Sequence, residues 1–358
     1  MTKQLITYLG NKRSLLDFIG QGITEVKKRL GRDRISFADI FAGSGIVSRY
    51  VKKDAFFILS NDLEGYCETI ARCYLANPDT DKLRKHYNLL LEYMKENPVQ
   101  NGFIRMLYSP EDGTEIKKGE RVFYTPQNAS YIDTCRAAID ILPPDVRPFF
   151  LAPLLSEASV KCNTSGVFKG FYKDRHSGIG SFGGSGKNAL SRILAPISLP
   201  FPVFSNYSCP YEVTAMDANI IAGQMEHADV AYIDPPYNQH PYGSNYFMLN
   251  LINDYKKPTD LSSVSGIPKK WNRSDYNKSV KASDALGDLC QNANTRFLLV
   301  SFNSEGFVTR ESMMSILSEI GNVTVFDTSY NVFRGSRNLR NRPIHNSEYL
   351  YLVDKEGK

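Results

Sequence analysis

The sequence predicts an α/β fold in which a doubly wound, mostly parallel sheet is interrupted by a largely helical insertion. Three observations carry that prediction. Ile35–Ile40 is a short apolar run that ends in the turn Phe41-Ala42-Gly43-Ser44-Gly45 and continues at the helical spacing of Ile46, Val47 and Tyr50, which is one βα unit. Val230–Ile233 is a second short apolar run, closed by Asp234-Pro235-Pro236-Tyr237. Between about residues 77 and 195 the strand–helix alternation gives way to helical patterns alone, and it resumes afterwards.

A chain of 358 residues accommodates two domains, or one domain with an insertion. Its 42% apolar and 23% charged content is that of an ordinary soluble protein. The net charge of +5 is modest, so a nucleic-acid partner has to be argued from where the positive charge sits. No apolar run reaches the length of a membrane span and the N-terminus has no secretory apolar segment, so a cytoplasmic protein with no membrane partner is expected. The cysteines at 67, 73, 135, 162, 209 and 290 form no Cys-x-x-Cys pair and the five histidines are scattered. Reduced thiols are therefore expected, with neither a disulfide framework nor a metal site.

In chain order, Tyr8-Leu9-Gly10-Asn11-Lys12 precedes a helix marked by Leu15, Leu16, Phe18 and Ile19. A Gly-Asn turn there sets Lys12 over a bound carboxylate or leaves it as a surface lysine. In the glycine turn, Ser48 stands where a dinucleotide fingerprint has its third glycine, which disfavours a nicotinamide cofactor. The Phe56–Ser60 run delivers Asp62, 19 residues after Gly43 and near the offset at which an acid takes a ribose diol. Glycine turn and acid together point to an adenosine-containing ligand; an incidental βα turn is the alternative.

The insertion contains helical patterns at Leu83–Met94, Ser130–Ile141 and near Phe149–Val160, with Thr125 placed to cap the second and Pro143-Pro144 to stop it. It ends in Lys161–Gly170, then Lys173, Arg175 and a Gly/Ser run through Gly186-Lys187. That run is not a phosphate-cradling Walker loop, because Ser181 and Asn188 stand where Gly and Ser/Thr are required. Basic and aromatic side chains on a flexible loop suit phosphate contact, as they also suit a plain solvated loop. Sheet rhythm resumes at Cys209–Met216, ending in Asp217, with a helix at Ile220–Met225. A strand at Phe297–Ser301, a helix at Met313–Ile320 and a last strand at Tyr349–Val353 follow.

The chemistry concentrates at Asp234–Tyr237. Prolines cannot donate to a ladder and fix φ, so the strand stops there with a stiff exit. The Asp234 carboxylate and the proline carbonyls then face the crevice beyond the strand ends, beside the flat ring of Tyr237. Such acceptors suit a planar ring bearing an exocyclic amino group. A strand-end turn with a capping Asp is the bland alternative. Positive charge gathers late in the chain, in residues 255–285 with Lys269, Lys270 and Arg273, and at Arg334, Arg337 and Arg340, with no acid from Thr328 to Ser347. Trp271 and Tyr276 are interleaved in the first of these, as a groove-binding loop requires. His240 is expected to be structural or a DNA contact rather than a base.

With these residues in hand, the chain resembles the Dam-like alpha group of DNA adenine-N6 methyltransferases. The resemblance is carried by the order Tyr8-x-Gly-x-Lys12, Phe41-Ala-Gly-Ser-Gly45, Asp62, a helical insertion and a late Asp-Pro-Pro-Tyr. Asn238–Ile252, the basic loop before Phe297 and Asn303-Ser304-Glu305-Gly306 look more like restriction-associated modification methylases of the FokI and NlaIII kind. The resemblance implies a Rossmann-like catalytic domain at 1–76 and 196–358, binding S-adenosylmethionine through Tyr8, Lys12, Asp39, Ala42, Gly43, Ser44, Gly45, Asp62, Asp217 and Asp234. It implies Asp234, Pro235, Pro236 and Tyr237 as the residues that take a flipped-out adenine. Double-stranded DNA is expected on the inserted region 77–195, the 255–285 loop and the late arginines, with Lys169, Lys173, Arg175, Lys269, Lys270, Arg273, Arg334, Arg337 and Arg340 as contacts. A cognate restriction endonuclease and a bacterial or phage origin are implied, and no metal. The rival readings are N4-cytosine methylation, an RNA or protein-glutamine methyltransferase, and a non-catalytic nucleic-acid-binding protein on the same fold.

Overall fold

A computed structural model describes residues 5–236, 239–304, 306–331 and 345–357. One sheet holds seven strands: β1 (Ile35–Asp39), β2 (Ala55–Asn61), β3 (Tyr211–Thr214), β4 (Ala228–Ile233), β5 (Thr295–Asn303), β6 (Asn322–Asn331) and β7 (His345–Asp354), in the order β3-β2-β1-β4-β5-β7-β6. The strands β1 to β5 are parallel, and β7 runs antiparallel between β5 and β6. This is the α/β, Rossmann-like architecture that the sequence predicts.

Central strands covered on both faces are near-continuous apolar runs, and the few polar residues in them, Ser36, Asp39 and Asp229, are hydrogen-bonded. All of β1 and β4 is buried. Successive side chains serve opposite faces. Phe37, Val230 and Leu299 pack with Ile19, Ile23 and Val47 on one side. Ala38, Ala231 and Leu298 pack with Ala222, Leu286 and Leu317 on the other. The chain reverses direction of winding between β1 and β4, which opens a crevice at their carboxyl ends.

Helices fall where the apolar periodicity places them, with physical adjustments at their ends. The helix expected from Ser130 begins at Pro126 instead (Pro126–Asp140), because a proline suits the first helical position and Thr125 Oγ1 accepts the Asn128 N–H at 3.1 Å. The helices Gly65–Leu75, Phe247–Asp254 and Ser279–Asn292 are additions to the sequence reading, as is β6. The alternation Val323-Thr324-Val325 was the available signal for β6. Helices Thr80–Glu96, Pro126–Asp140 and Arg147–Val160 share one apolar core with Leu5, Ile6, Ile70, Tyr246 and Phe247.

Two expectations are corrected. Tyr276 does not face a groove: it is 3% exposed, its ring packs edge-on against Phe41, and its hydroxyl lies 2.8 Å from Asn219 Oδ1. The 255–285 stretch is accordingly no uniform loop, since it is anchored at Tyr276 and becomes helical at Ser279. In the 161–175 segment Phe168 also turns inward, while Phe171 and Tyr172 are half-buried. Phe168 is buried and Phe171 packs edge-on against Phe123, leaving Lys169, Lys173 and Arg175 outside. The segment is tied down by buried Asn163, whose Nδ2 donates to the Val122 and Ser181 carbonyls while its Oδ1 accepts the Gly183 N–H. At Tyr276 and Phe168 burial won over exposure, because a ring gains more from leaving water than from a wet stacking site.

Candidate active site

The crevice is built from five strand or segment ends. Tyr8–Lys12 forms one wall. The Tyr8 ring stacks against both Tyr242 and Tyr246, each at 4.9 Å between centroids, and those two rings lie 5.8 Å from each other, so the three form one cluster. Backbone bonds fasten the same segment, with the Leu9 N–H donating to Tyr246 Oη at 2.7 Å and Tyr242 Oη donating to the Leu9 carbonyl at 2.9 Å.

Opposite lies the glycine turn, where Gly43 (φ 53°) and Gly45 (φ 68°) adopt left-handed backbone. A Cβ on Gly43 would come within 2.8 Å of the Tyr8 ring, so glycine is what allows these walls to close. The Gly43 N–H donates to Asp62 Oδ2 at 2.8 Å, and the Glu64 N–H donates to Asp62 Oδ1 at 3.0 Å. Ser48, which replaces the third fingerprint glycine, donates through N–H (3.1 Å) and Oγ (2.5 Å) to Asp39 Oδ2. The other Asp39 oxygen is buried without a hydrogen-bond partner among the described residues. Burial drives the Asp39 pKa up to about 7, against the opposing bonds from Ser48, and the nearby Asp234 charge adds to the rise.

Two residues that the sequence reading passed over complete the floor. Buried Asn61 bonds the Ile40 and Met216 carbonyls and the Met216 N–H, tying the tips of three strands. Glu64 is held by Asn250 at 2.5 Å, and burial lifts its pKa to about 7. Asn272, from the basic stretch, donates to the Leu63 carbonyl at 2.9 Å and so lays that stretch along the rim. An amide placed among lysines carries no periodic signal, which is why only the fold reveals it. Asp217 caps the helix Ala218–Gln224, accepting the Asn219 N–H at 2.9 Å.

The β4 exit brings Asp234, Pro235 and Pro236 into the same space. Lys12 sits under it, 4% exposed, with Nζ 3.1 Å from Asp234 Oδ1 and 2.5 Å from Glu348 Oε1. Burial pulls the ammonium pKa down, but Asp234 and Glu348 outweigh it and hold Lys12 charged well above the ordinary lysine value. Glu348 was not singled out from sequence.

The cavity so enclosed holds about 930 Å³ of space including its solvent mouth. Tyr8, Lys12, Asp39, Ala42, Gly43, Ser44, Asp62, Asp217, Asp234, Pro235 and Pro236 all line it; Gly45 instead starts the helix Ile46–Val51. Lys12 is the one cation among the described lining residues, against five acids. Lys169, Lys173, Arg175, Lys269, Lys270 and Arg273 are exposed outside it. Lys269 pairs with Asp260 at 2.9 Å, and the Arg273 guanidinium lies 4.2 Å from the Trp271 ring centre. The two basic stretches are joined, Ser265 Oγ donating to the Lys169 carbonyl at 2.6 Å. Tyr237, Arg334, Arg337 and Arg340 lie outside the described residues. All six cysteines are free and buried, and no helix among the described residues is long and apolar enough to cross a membrane.

A strand-end pocket of acids facing a rigid Asp-Pro-Pro exit defines a class of group-transfer enzymes, and comparison with known proteins agrees. The family model of the D12 class N6 adenine-specific DNA methyltransferases matches residues 8–316. Among similar proteins, the Type II methyltransferase M.CviAII of Paramecium bursaria Chlorella virus 1 is 28% identical, over 97% of this chain and 98% of its own. Type II methyltransferase M.NlaIII of Neisseria lactamica is 28% identical over 98% and 99%, and Type II methyltransferase M.FokI of Planomicrobium okeanokoites is 27% identical over 98% of this chain and 52% of its own. The chain belongs to the D12 class N6 adenine-specific DNA methyltransferase family, and adenine in DNA is its substrate.

Proposed function

We propose that the methyl donor is S-adenosylmethionine, that Asp234–Tyr237 take the target adenine, and that the enzyme marks a defined duplex site as the protective half of a restriction–modification pair. The observation that carries the reading is the convergence of Asp234-Pro235-Pro236 with Gly43, Asp62 and the buried, half-unsatisfied Asp39 in one acid-rich cavity. That donor set fits a cationic sulfonium compound with an amino acid end and a ribose: Asp62 and Glu64 suit the hydroxyls, Asp39 and Asp217 suit N–H donors. Lys12 acts beneath the pocket through Asp234, since its ammonium already serves two carboxylates.

When bound, S-adenosylmethionine supplies the methyl carbon as an electrophile. The protein's part is to hold the acceptor. N6 of a paired, stacked adenine is out of reach, so the base has to leave the helix, at a cost of a few kcal/mol. The Asp234 carboxylate and the Pro235 carbonyl accept its two N–H bonds and direct the nitrogen lone pair into the cavity, while Tyr237 offers a stacking face. The tied pair of basic stretches (161–175 and 255–273), with Arg334, Arg337 and Arg340, is the proposed seat of the phosphate backbone, and residues 77–195 the target-recognition region. The type II names of full-length relatives support pairing with an endonuclease.

Incubation with S-adenosylmethionine and unmethylated genomic DNA, followed by nucleoside mass spectrometry, tests the reading. N6-methyladenine from the native protein and none from Asp234→Ala is expected. Near-native turnover by Asp234→Ala sinks the assignment of the site.

A further inference from the structure

Glu348 has no part in the chemistry so far, yet it is among the most buried charges in the molecule, at 1% exposure. Its placement follows from topology. The strand β7 is antiparallel to β5, so its beginning reaches the edge where the parallel strands end; Glu348 pairs with Asn303 there, while Ile233 of β4 pairs with Val300. At that edge Glu348 Oε1 accepts from Lys12 Nζ at 2.5 Å and from Ser301 Oγ at 2.7 Å. Asp234 Oδ1 is the more distant partner of the same ammonium, at 3.1 Å.

One ammonium between two carboxylates leaves the trio with one net negative charge. Were Glu348 neutral, Lys12 would lean more strongly on Asp234, and a close cation in a low-dielectric site cancels much of a carboxylate's pull on any other donor. We propose that Glu348 is a positioning residue for methyl transfer: by drawing Lys12 towards β7 it fixes the Asp234 carboxylate and leaves on it the negative charge that receives the adenine amino group. As N6 forms its bond to the methyl carbon, the carbon–sulfonium bond breaks and the neutral thioether leaves; N6 is then cationic until the N–H proton held by the Asp234 carboxylate passes through it to solvent, and a preset negative charge there favours both changes. The inference rests on the reading of Asp234 as the acceptor of N6.

A double-mutant cycle separates action through Lys12 from general support of the fold. In the native background Glu348→Gln, which keeps shape and removes charge, is expected to lower kcat at least about 10-fold. KM for DNA, and DNA affinity measured by anisotropy without methyl donor, are expected to stay within about 2-fold. In a Lys12→Met background the same substitution is expected to change kcat by less than about 2-fold, because its effect is routed through the ammonium. Additive losses, or a loss appearing equally in DNA affinity, overturn the inference. Should Glu348→Gln fail to fold, judged by its urea midpoint, the cycle is run with Glu348→Asp, which withdraws the carboxylate from Lys12; a loss of kcat in the native background that vanishes in the Lys12→Met background is again expected, and additive losses again overturn the inference. Asp234→Asn is measured alongside. If it is active, the underlying reading fails; if it is inactive while the cycle is additive, only the role of Glu348 fails.

Discussion

Gly43→Ala is the perturbation whose cost the structure fixes most closely. The residue sits at φ 53°, where a non-glycine residue costs about 1–2 kcal/mol. The new methyl would also stand 2.8 Å from Tyr8 Cε1. Tyr8 is held in place, since its ring stacks on the Tyr242–Tyr246 pair and its chain neighbour Leu9 is bonded to both. Overpacking of this kind adds about 1–3 kcal/mol. Gly45 supplies the internal control: its φ is 68°, yet a Cβ there meets nothing within 4 Å. Gly45→Ala should therefore show the backbone cost alone, and Gly43→Ala should be less stable than it by about 1–3 kcal/mol in urea unfolding. Because Gly43 N–H holds Asp62, the Gly43 variant should also lose affinity for S-adenosylhomocysteine by calorimetric titration, and the Gly45 variant much less. Equal stabilities and equal affinities for the two variants would refute the close approach of Tyr8 to the turn.

Other outcomes follow from the same geometry. Asp39 is raised to about 7 from an ordinary carboxylate value, so the folded state binds its proton more tightly than the unfolded chain; stability from this group is full at low pH and is lost as pH rises through about 7. Glu64 acts in the same direction, and Asp39→Asn should flatten the fall in urea midpoint between pH 5 and pH 8; an unchanged slope would show that Asp39 is not the source. Asp133 is fully buried and accepts the Ile104 and Arg105 N–H groups and the Tyr255 hydroxyl, so Asp133→Ala should cost about 2–4 kcal/mol in urea unfolding, and a cost below about 1 kcal/mol would contradict that network. Replacing Lys173 and Arg175 with Ala should reduce the slope of log affinity for DNA against log salt by about 0.9 for each phosphate no longer neutralised. An unaltered slope would take that segment out of the interface.

The fold class and the stop of β4 at Asp234-Pro235-Pro236 were legible in the chain because each is written locally. Continuous apolar runs mark strands buried on both faces, glycines mark the left-handed turn at Gly43 and Gly45, and prolines mark where β4 must stop. Eleven of the 28 described residues that line the pocket, from Tyr8 to Pro236, therefore stand out in the chain itself. What depended on tertiary structure was the pairing of distant groups and the choice between burial and exposure. Tyr276 and Phe168 look in sequence like aromatic members of wet loops, and only the packing around them shows that each fills the interior. Asn61 and Asn272 bear no pattern, yet they join strand tips and rim. Lys12 and Glu348 stand 336 residues apart, and nothing along the chain says that they meet. An antiparallel strand laid beside β5 brings them together, because its beginning reaches the edge where the parallel strands end.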